Sequence, residues 1–295
     1  MSLERQTIYG WPVAIDLFLG GLGGGAFLAG FVLNLFSIQE PITRLALLLG
    51  PLAAISGALF LLADITIRRR VYRLFANAKA WTSRGAWIIT FFVMAGFDYY
   101  LISSPAIAPF SWLHTTGISL AMGAVAASFA VLVLIYPGFL MATLRAVPFW
   151  NTSLLAVLFL LSGLVSGVAM LLVLTPALRI NSIGLTEILH SFGATIIILA
   201  ILQAIVLYAF LKKAARGDAA SRASLGFLKA SRFNGKMLGL GLLVPLCLSV
   251  LAIFTDNMFL VSWLSLAAGM FFLAGGLYLR YAIIRAGILL QRFQL

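Results

Sequence analysis

Eight runs of predominantly apolar residues recur along this chain, at 13–36, 45–66, 86–104, 115–136, 151–174, 185–211, 237–255 and 258–284. Nothing else in the sequence constrains the fold as strongly. About 20 apolar residues are enough to cross the hydrocarbon core of a bilayer as a helix. Lipid offers no partner to a backbone N–H or C=O, so the helix, which satisfies both internally, is the form such a run must take. The expected fold is an all-α integral membrane protein with eight transmembrane helices. The longest connections, near 67–85 and 212–236, leave no room for a soluble domain. Only Thr255, Asp256 and Asn257 separate the last two spans, which predicts a tight hairpin.

Charge fixes the expected orientation. An even number of spans puts both termini on one side, together with the connections after spans two, four and six. That side collects 18 of the 20 Lys and Arg residues, counting Arg280 among them, and leaves only Arg44 and Arg179 opposite. The positive-inside rule makes it the cytoplasmic face of an inner (plasma) membrane. The net charge of +12 is spread between apolar runs rather than over one soluble face. It therefore points to topology and anionic lipid as a partner, and against nucleic acid. The basic segment 212–236, interleaved with Leu225, Phe227, Leu228 and Phe233, suits a helix on the inner leaflet or a docking surface for an acidic subunit. Glu4 and Arg5 precede an apolar stretch too long for a signal h-region, so no cleaved leader is expected.

Cys247 is the single cysteine. One thiolate cannot build an iron–sulfur cluster or a structural zinc site, so no metal site is expected and any metal redox centre belongs to another subunit. The two histidines, His114 and His190, fall on different spans toward the outer side, where interfacial polarity explains them better than axial ligation of a haem.

One stretch stands apart from a plain anchor. Trp11–Gly30 (WPVAIDLFLGGLGGGAFLAG) is apolar enough for lipid yet carries Asp16 and a run of glycines. An ionisable residue inside a span is costly and by default a functional candidate. The glycines let a neighbouring helix or a flat ligand approach the backbone. Sorting helix ends by side brings Trp11 and Asp16, Asp64, Trp87, Tyr136 and Trp150 to one membrane depth. Each has a simpler role open to it. The indoles and the phenol suit interfacial anchoring, and Asp64 has Arg68 and Arg69 about one turn away. Asp16 has no basic neighbour within a turn. A quinone takes up two electrons and two protons on reduction and releases them on oxidation. Its head group needs hydrogen-bond partners, a group that passes protons and an apolar slot. Asp16, Tyr136 and Asp64 supply the polar chemistry. Trp11, Gly20, Gly21, Gly24, Trp87 and Trp150 supply the slot and room for an isoprenoid tail.

Five pieces carry a family resemblance: WPVAIDLFLGGLGGGAF near the start, LLADITIRR ending span two, SRGAW at 83–87, YPGFLMATLRAVPFWN at 136–151, and GGLYLRYAIIRAG at 275–287. Taken in order, they resemble the NrfD/PsrC family, the membrane subunits of polysulfide-reductase-type complexes. The resemblance implies two four-helix bundles, 1–145 and 146–295, with no haem and a menaquinone or ubiquinone site in the first. It implies as partners a ferredoxin-like iron–sulfur subunit and a catalytic subunit of the molybdopterin type. It puts Tyr136 at the family's quinone-contacting tyrosine. Asp16 falls where the polysulfide-reductase subunit has a histidine, so a carboxylate replaces an imidazole. Asp64 matches an acidic position, although the ITIRR that follows departs from the family's D-L-G-x-P-x-R pattern. That family faces its catalytic subunits to the periplasm on the side of the quinone site, whereas the charge count here puts that side in the cytoplasm.

Two other readings compete. Intramembrane acids and glycine-broken helices suit a secondary transporter, whereas Asp98, Glu187, His190 and Gln203 belong to the quinone reading, as candidates for a proton route between the quinone site and the outside. A purely structural reductase anchor is the third.

Overall fold

A computed structural model describes residue 6 and residues 9–38, 41–64, 80–103, 116–177, 185–231 and 233–289. Within these, eight helices are long and apolar enough to cross a membrane. They are α1 (Trp11–Leu35), α2 (Pro41–Asp64), α3 (Trp81–Ile102), α4 (Thr116–Ala142), α5 (Leu154–Ala177) and α6 (Leu185–Arg216), then Gly235–Ile253 and α9 (Met258–Arg285). Between α6 and the seventh span lies a short surface helix, α7 (Ala219–Ala230). The seventh span is not one regular helix. It opens as a wide π-helical stretch, Asn234–Leu243, and tightens into α8 (Val244–Ile253). The hairpin expected at 255–257 is present: α8 ends at Ile253, and the Asn257 side chain caps α9 by accepting from the N–H groups of Phe259 and Leu260 at 3.0 and 3.3 Å.

The glycines explain why α1 sits in the middle. Helices in lipid gain nothing from hiding apolar surface from one another, so close packing at small residues must hold them. α1 presents three such faces. Gly21 and Gly25, one turn apart, meet Gly163 and Gly167 of α5, also one turn apart; a methyl on Gly167 would stand 2.7 Å from the Gly25 Cα. Gly23 and Gly30 face α2, where a methyl on Gly30 would stand 2.8 Å from the Ala46 Cβ. Gly24 faces α4, with the Ala130 carbonyl 3.0 Å from where its Cβ would be. α1 also reaches α9, through Trp11 stacked on Tyr281 with centroids 3.8 Å apart.

Two apolar clusters result. One, around Phe27, Phe92 and Tyr99, fills the space among α1–α4. The other runs from Leu17 through Phe159 and Leu172 to Phe272 and Leu279, on the α5–α9 side of α1. The segment before α1 is tied to the end of α9, since Gln6 Nε2 donates to the Ile284 carbonyl at 3.0 Å and Gln6 N to the Gly287 carbonyl at 3.1 Å.

Arg280 requires a correction. Its position in the sequence groups it with the surface charges, but it lies inside α9 and is 1% exposed. Its Nη1 donates to Ser162 Oγ at 2.9 Å and to the Gly276 carbonyl at 3.2 Å. The Phe18 and Phe159 rings flank the guanidinium at 5.7 Å, and Gly21 gives it space that any larger residue would take. A charge this close to a helix terminus reads as a loop charge in any count that ignores which way the helix faces.

Candidate functional site

The start of α1, the end of α2, the start of α3 and the latter part of α4 converge on one cavity of about 280 Å³. Its walls are largely apolar: Val13 and Leu17 from α1, Ala58, Leu61 and Leu62 from α2, Ala86 and Ile89 from α3, and Leu140 from α4. Into this lining α1 brings Asp16 and α4 brings Tyr136, with Tyr9, Thr82 and Thr90 beside them. Thr90 spends its hydroxyl on the Ala86 carbonyl at 2.8 Å, so it offers a ligand little. The Asp16 carboxyl and the Tyr136 hydroxyl have no hydrogen-bond partner among the described residues. Polar groups withdrawn into apolar surroundings are nearly always bonded. Two that are not, facing the same cavity, are what a polar ligand would complete.

Glycines shape this site as well. Tyr136 can lie against α3 only because position 85 has no side chain; a Cβ on Gly85 would overlap the Cζ, Cε1 and hydroxyl oxygen of the phenol. Asp16 is backed by Gly57 of α2, where a methyl would stand 3.1 Å from Oδ1 and 3.0 Å from the Asp16 carbonyl oxygen. The helix boundaries also differ from those read in the sequence. α4 continues to Ala142 and α3 begins at Trp81, so Tyr136 and Gly85 both sit within helices rather than at their ends. Rigid helical positions hold the phenol more firmly than a loop would.

The other residues singled out in the sequence lie elsewhere. Trp11 stacks on Tyr281 and is half exposed. Trp150 is buried; its Nε1 donates to the Ile283 carbonyl at 3.0 Å, and its ring meets Tyr9 edge-on. Trp87 stacks on Phe91 on an exposed face of α3. Gly20, Gly21 and Gly24 face α4, Arg280 and α4 respectively, so they serve helix contact rather than the cavity. Asp64 is the last residue of α2, and its side chain lies outside the described residues, as do Arg68, Arg69 and His114. Asp98 and Glu187 are exposed, His190 Nε2 is 3.0 Å from the Ala252 carbonyl, and Gln203 is buried with its Oε1 unpartnered. Glu187 and His190 lie one turn apart on α6, Gln203 lies further along the same helix, and Asp98 is on α3. Gly85 and Tyr9 were missed by sequence reasoning. The signal available for Gly85 was its place in SRGAW, one helical turn before Ile89.

Eight apolar helices crossing side by side make this a multi-pass membrane protein, with a mostly apolar cavity opening among its first four helices. Among the described residues, no three His, Cys, Asp or Glu side chains gather as metal ligands would. Residues 2–291 match the family described as polysulphide reductase, NrfD, and the chain belongs to that family. It is similar to the C subunit of polysulfide reductase from Wolinella succinogenes, 26% identical over 186 residues, covering 57% of this chain and 59% of that protein. It is also similar to protein NrfD of Escherichia coli K12, 28% identical over 194 residues, covering 57% of this chain and 60% of the relative. The chain thus spans about three fifths of the length of these curated relatives.

Proposed function

We propose that this chain is the quinone-reactive membrane subunit of an oxidoreductase complex. It exchanges electrons and protons between the membrane quinone pool and an iron–sulfur partner subunit, which in turn serves a catalytic subunit of the molybdopterin type. The observation that carries the reading is the cavity itself: apolar walls enclosing two unpartnered groups, a carboxyl and a phenol. A quinone ring is flat and apolar with an oxygen at each end, and it matches such a slot. The relative named for polysulfide reductase supports a reductase complex.

In this reading the Tyr136 hydroxyl donates to one ring oxygen and orients the head group. Asp16 stands at the ring as the proton-exchanging group, taking a proton when quinol is oxidised and giving one when quinone is reduced. The two electrons pass to or from the partner, since this chain has no redox centre of its own in the proposed scheme. Val13, Leu17, Leu61, Leu62 and Ile89 exclude water and hold the ring. The cavity lies toward the basic side of the chain, which the charge asymmetry makes cytoplasmic; the partner subunits dock there. The departure from the histidine of the polysulfide-reductase subunit changes the proton carrier and leaves the ring slot intact.

The test is a fluorescence-quench titration of the gently solubilised protein with a hydroxyquinoline quinol analogue. Saturable binding near one per chain, weakened in Tyr136→Phe, is expected. An intact protein with no saturable binding would return the weight to a structural anchor or a transporter.

A further inference from the structure

A second cavity, of about 290 Å³, lies outside the quinone site, where α6 leaves the apolar zone and turns into α7. Its floor is the edge-to-face pair Phe149–Phe210, with centroids 5.0 Å apart. Arg145, from the connection after α4, and Lys213, near the end of α6, bring two cations to it. Lys213 is held in place by its bond to Thr152 Oγ1, at 3.0 Å. Across from them is the N-terminus of α7. There Asp218 occupies the capping position, but its side chain caps nothing, and the first intrahelical bond is Arg222 N to the Asp218 carbonyl at 3.0 Å. The N–H groups of Ala219, Ala220 and Ser221 are therefore left without helical acceptors. Ser221 lines the cavity and is 4% exposed, and its hydroxyl has no partner among the described residues.

Two cations, a helix N-terminus and the free hydroxyl of a buried serine have one ligand in common. We propose that this cavity binds a phosphate group, carried by the head group of an anionic phospholipid. Phosphate accepts several hydrogen bonds at once and is favoured by both the guanidinium and the helix dipole. The Asp218 carboxylate is the one opposing charge in the lining; like Arg145 and Lys213 it is exposed, and the two cations outnumber it. The level is right for a head group. One residue before Lys213, Lys212 reaches back over the exposed Tyr208 ring at 5.6 Å, as side chains do where a helix emerges from lipid. The apolar floor accommodates glycerol carbons, and the volume holds a head group rather than a whole lipid.

Native mass spectrometry of the purified full-length chain tests this, with phosphatidylglycerol and phosphatidylcholine added in parallel and inorganic phosphate as a soluble competitor. The first phosphatidylglycerol adduct should be tighter than that of phosphatidylcholine. It should weaken by about tenfold or more in Arg145→Gln/Lys213→Gln, since two charge-assisted contacts are lost. Arg145→Lys/Lys213→Arg should largely restore it, and Lys229→Gln, exposed on α7, should leave it unchanged. Displacement of the lipid by millimolar inorganic phosphate would keep the phosphate site but assign it to a soluble phosphate ester. Equal binding of both lipids, or a folded double variant that binds phosphatidylglycerol as the wild type does, overturns the proposal.

Discussion

Gly85→Ala adds one methyl group, and the structure says where it goes: onto the hydroxyl-bearing edge of the Tyr136 ring. Carbon atoms in contact settle about 3.5–4.0 Å apart. A Cβ overlapping that edge therefore forces the phenol to retreat by more than about 1 Å, because α3 and α4 are fixed by their own packing. A hydroxyl moved that far from a ring oxygen no longer bonds it. Losing one neutral hydrogen bond costs about 1 kcal/mol, or roughly fivefold in affinity for a quinol analogue. Misplacement by about 1 Å costs up to roughly 100-fold in turnover. The quench titration and quinol-linked turnover measure the two separately, with a thermal melt to show that the bundle is folded. Overpacking itself costs about 1–3 kcal/mol of stability. The decisive step is the double variant. If Gly85→Ala acts through the Tyr136 hydroxyl, then Gly85→Ala/Tyr136→Phe should bind no worse than about twofold below Tyr136→Phe alone. Fully additive losses would refute the reasoning, as would wild-type binding by a folded Gly85→Ala protein.

Asp16→Asn should keep the analogue's binding within about fivefold but depress turnover by roughly 100-fold, because an amide cannot exchange the proton; equal losses in both would make Asp16 a binding group only. Arg280→Met should leave the melting temperature unchanged or raised, since it removes a buried cation that no described carboxylate neutralises, whereas Arg280→Ala should lower it by opening a cavity. A marked loss of stability in Arg280→Met would show that the Ser162 and Gly276 bonds outweigh the cost of burying the charge. Trp150→Phe should cost about 1 kcal/mol of stability through the lost bond to the Ile283 carbonyl, and leave analogue affinity unchanged; a tenfold weaker analogue would put Trp150 back at the ring.

The membrane spans were legible because lipid imposes a length and an apolar composition that a linear sequence displays directly. The family was legible from ordered segments such as YPGFLMATLRAVPFWN and is borne out by the match over residues 2–291. What a helix faces was harder to read. Trp11 and Trp150 share with Tyr136 a depth in the membrane but not a direction, and depth is all that position within a span reports. Arg280 failed for the same reason, as five residues from a helix end place it equally well outside or inside. The spacing of Gly21 with Gly25 and of Gly163 with Gly167 was a readable small-residue signal, and it pointed to helix contact rather than to a tail slot. The π-helical opening of the seventh span left no mark, since glycines at 235, 239 and 241 suit many backbones.

The enclosure of α1 has a consequence for how the protein is made. α1 leaves the ribosome ahead of α2, α4, α5 and α9, all of which it borders, so these neighbours do not yet exist when it enters the membrane. Its glycine faces must wait in lipid, bridged by nothing, while the rest of the protein is synthesised. α9 carries the opposite problem, because a guanidinium near its C-terminal end has no shelter until Gly21, Ser162 and Phe159 are already assembled around it. Insertion of α9 thus completes the enclosure of α1, and a ribosome stalled before α9 would leave in the bilayer a bundle in which α1 is still open on one side.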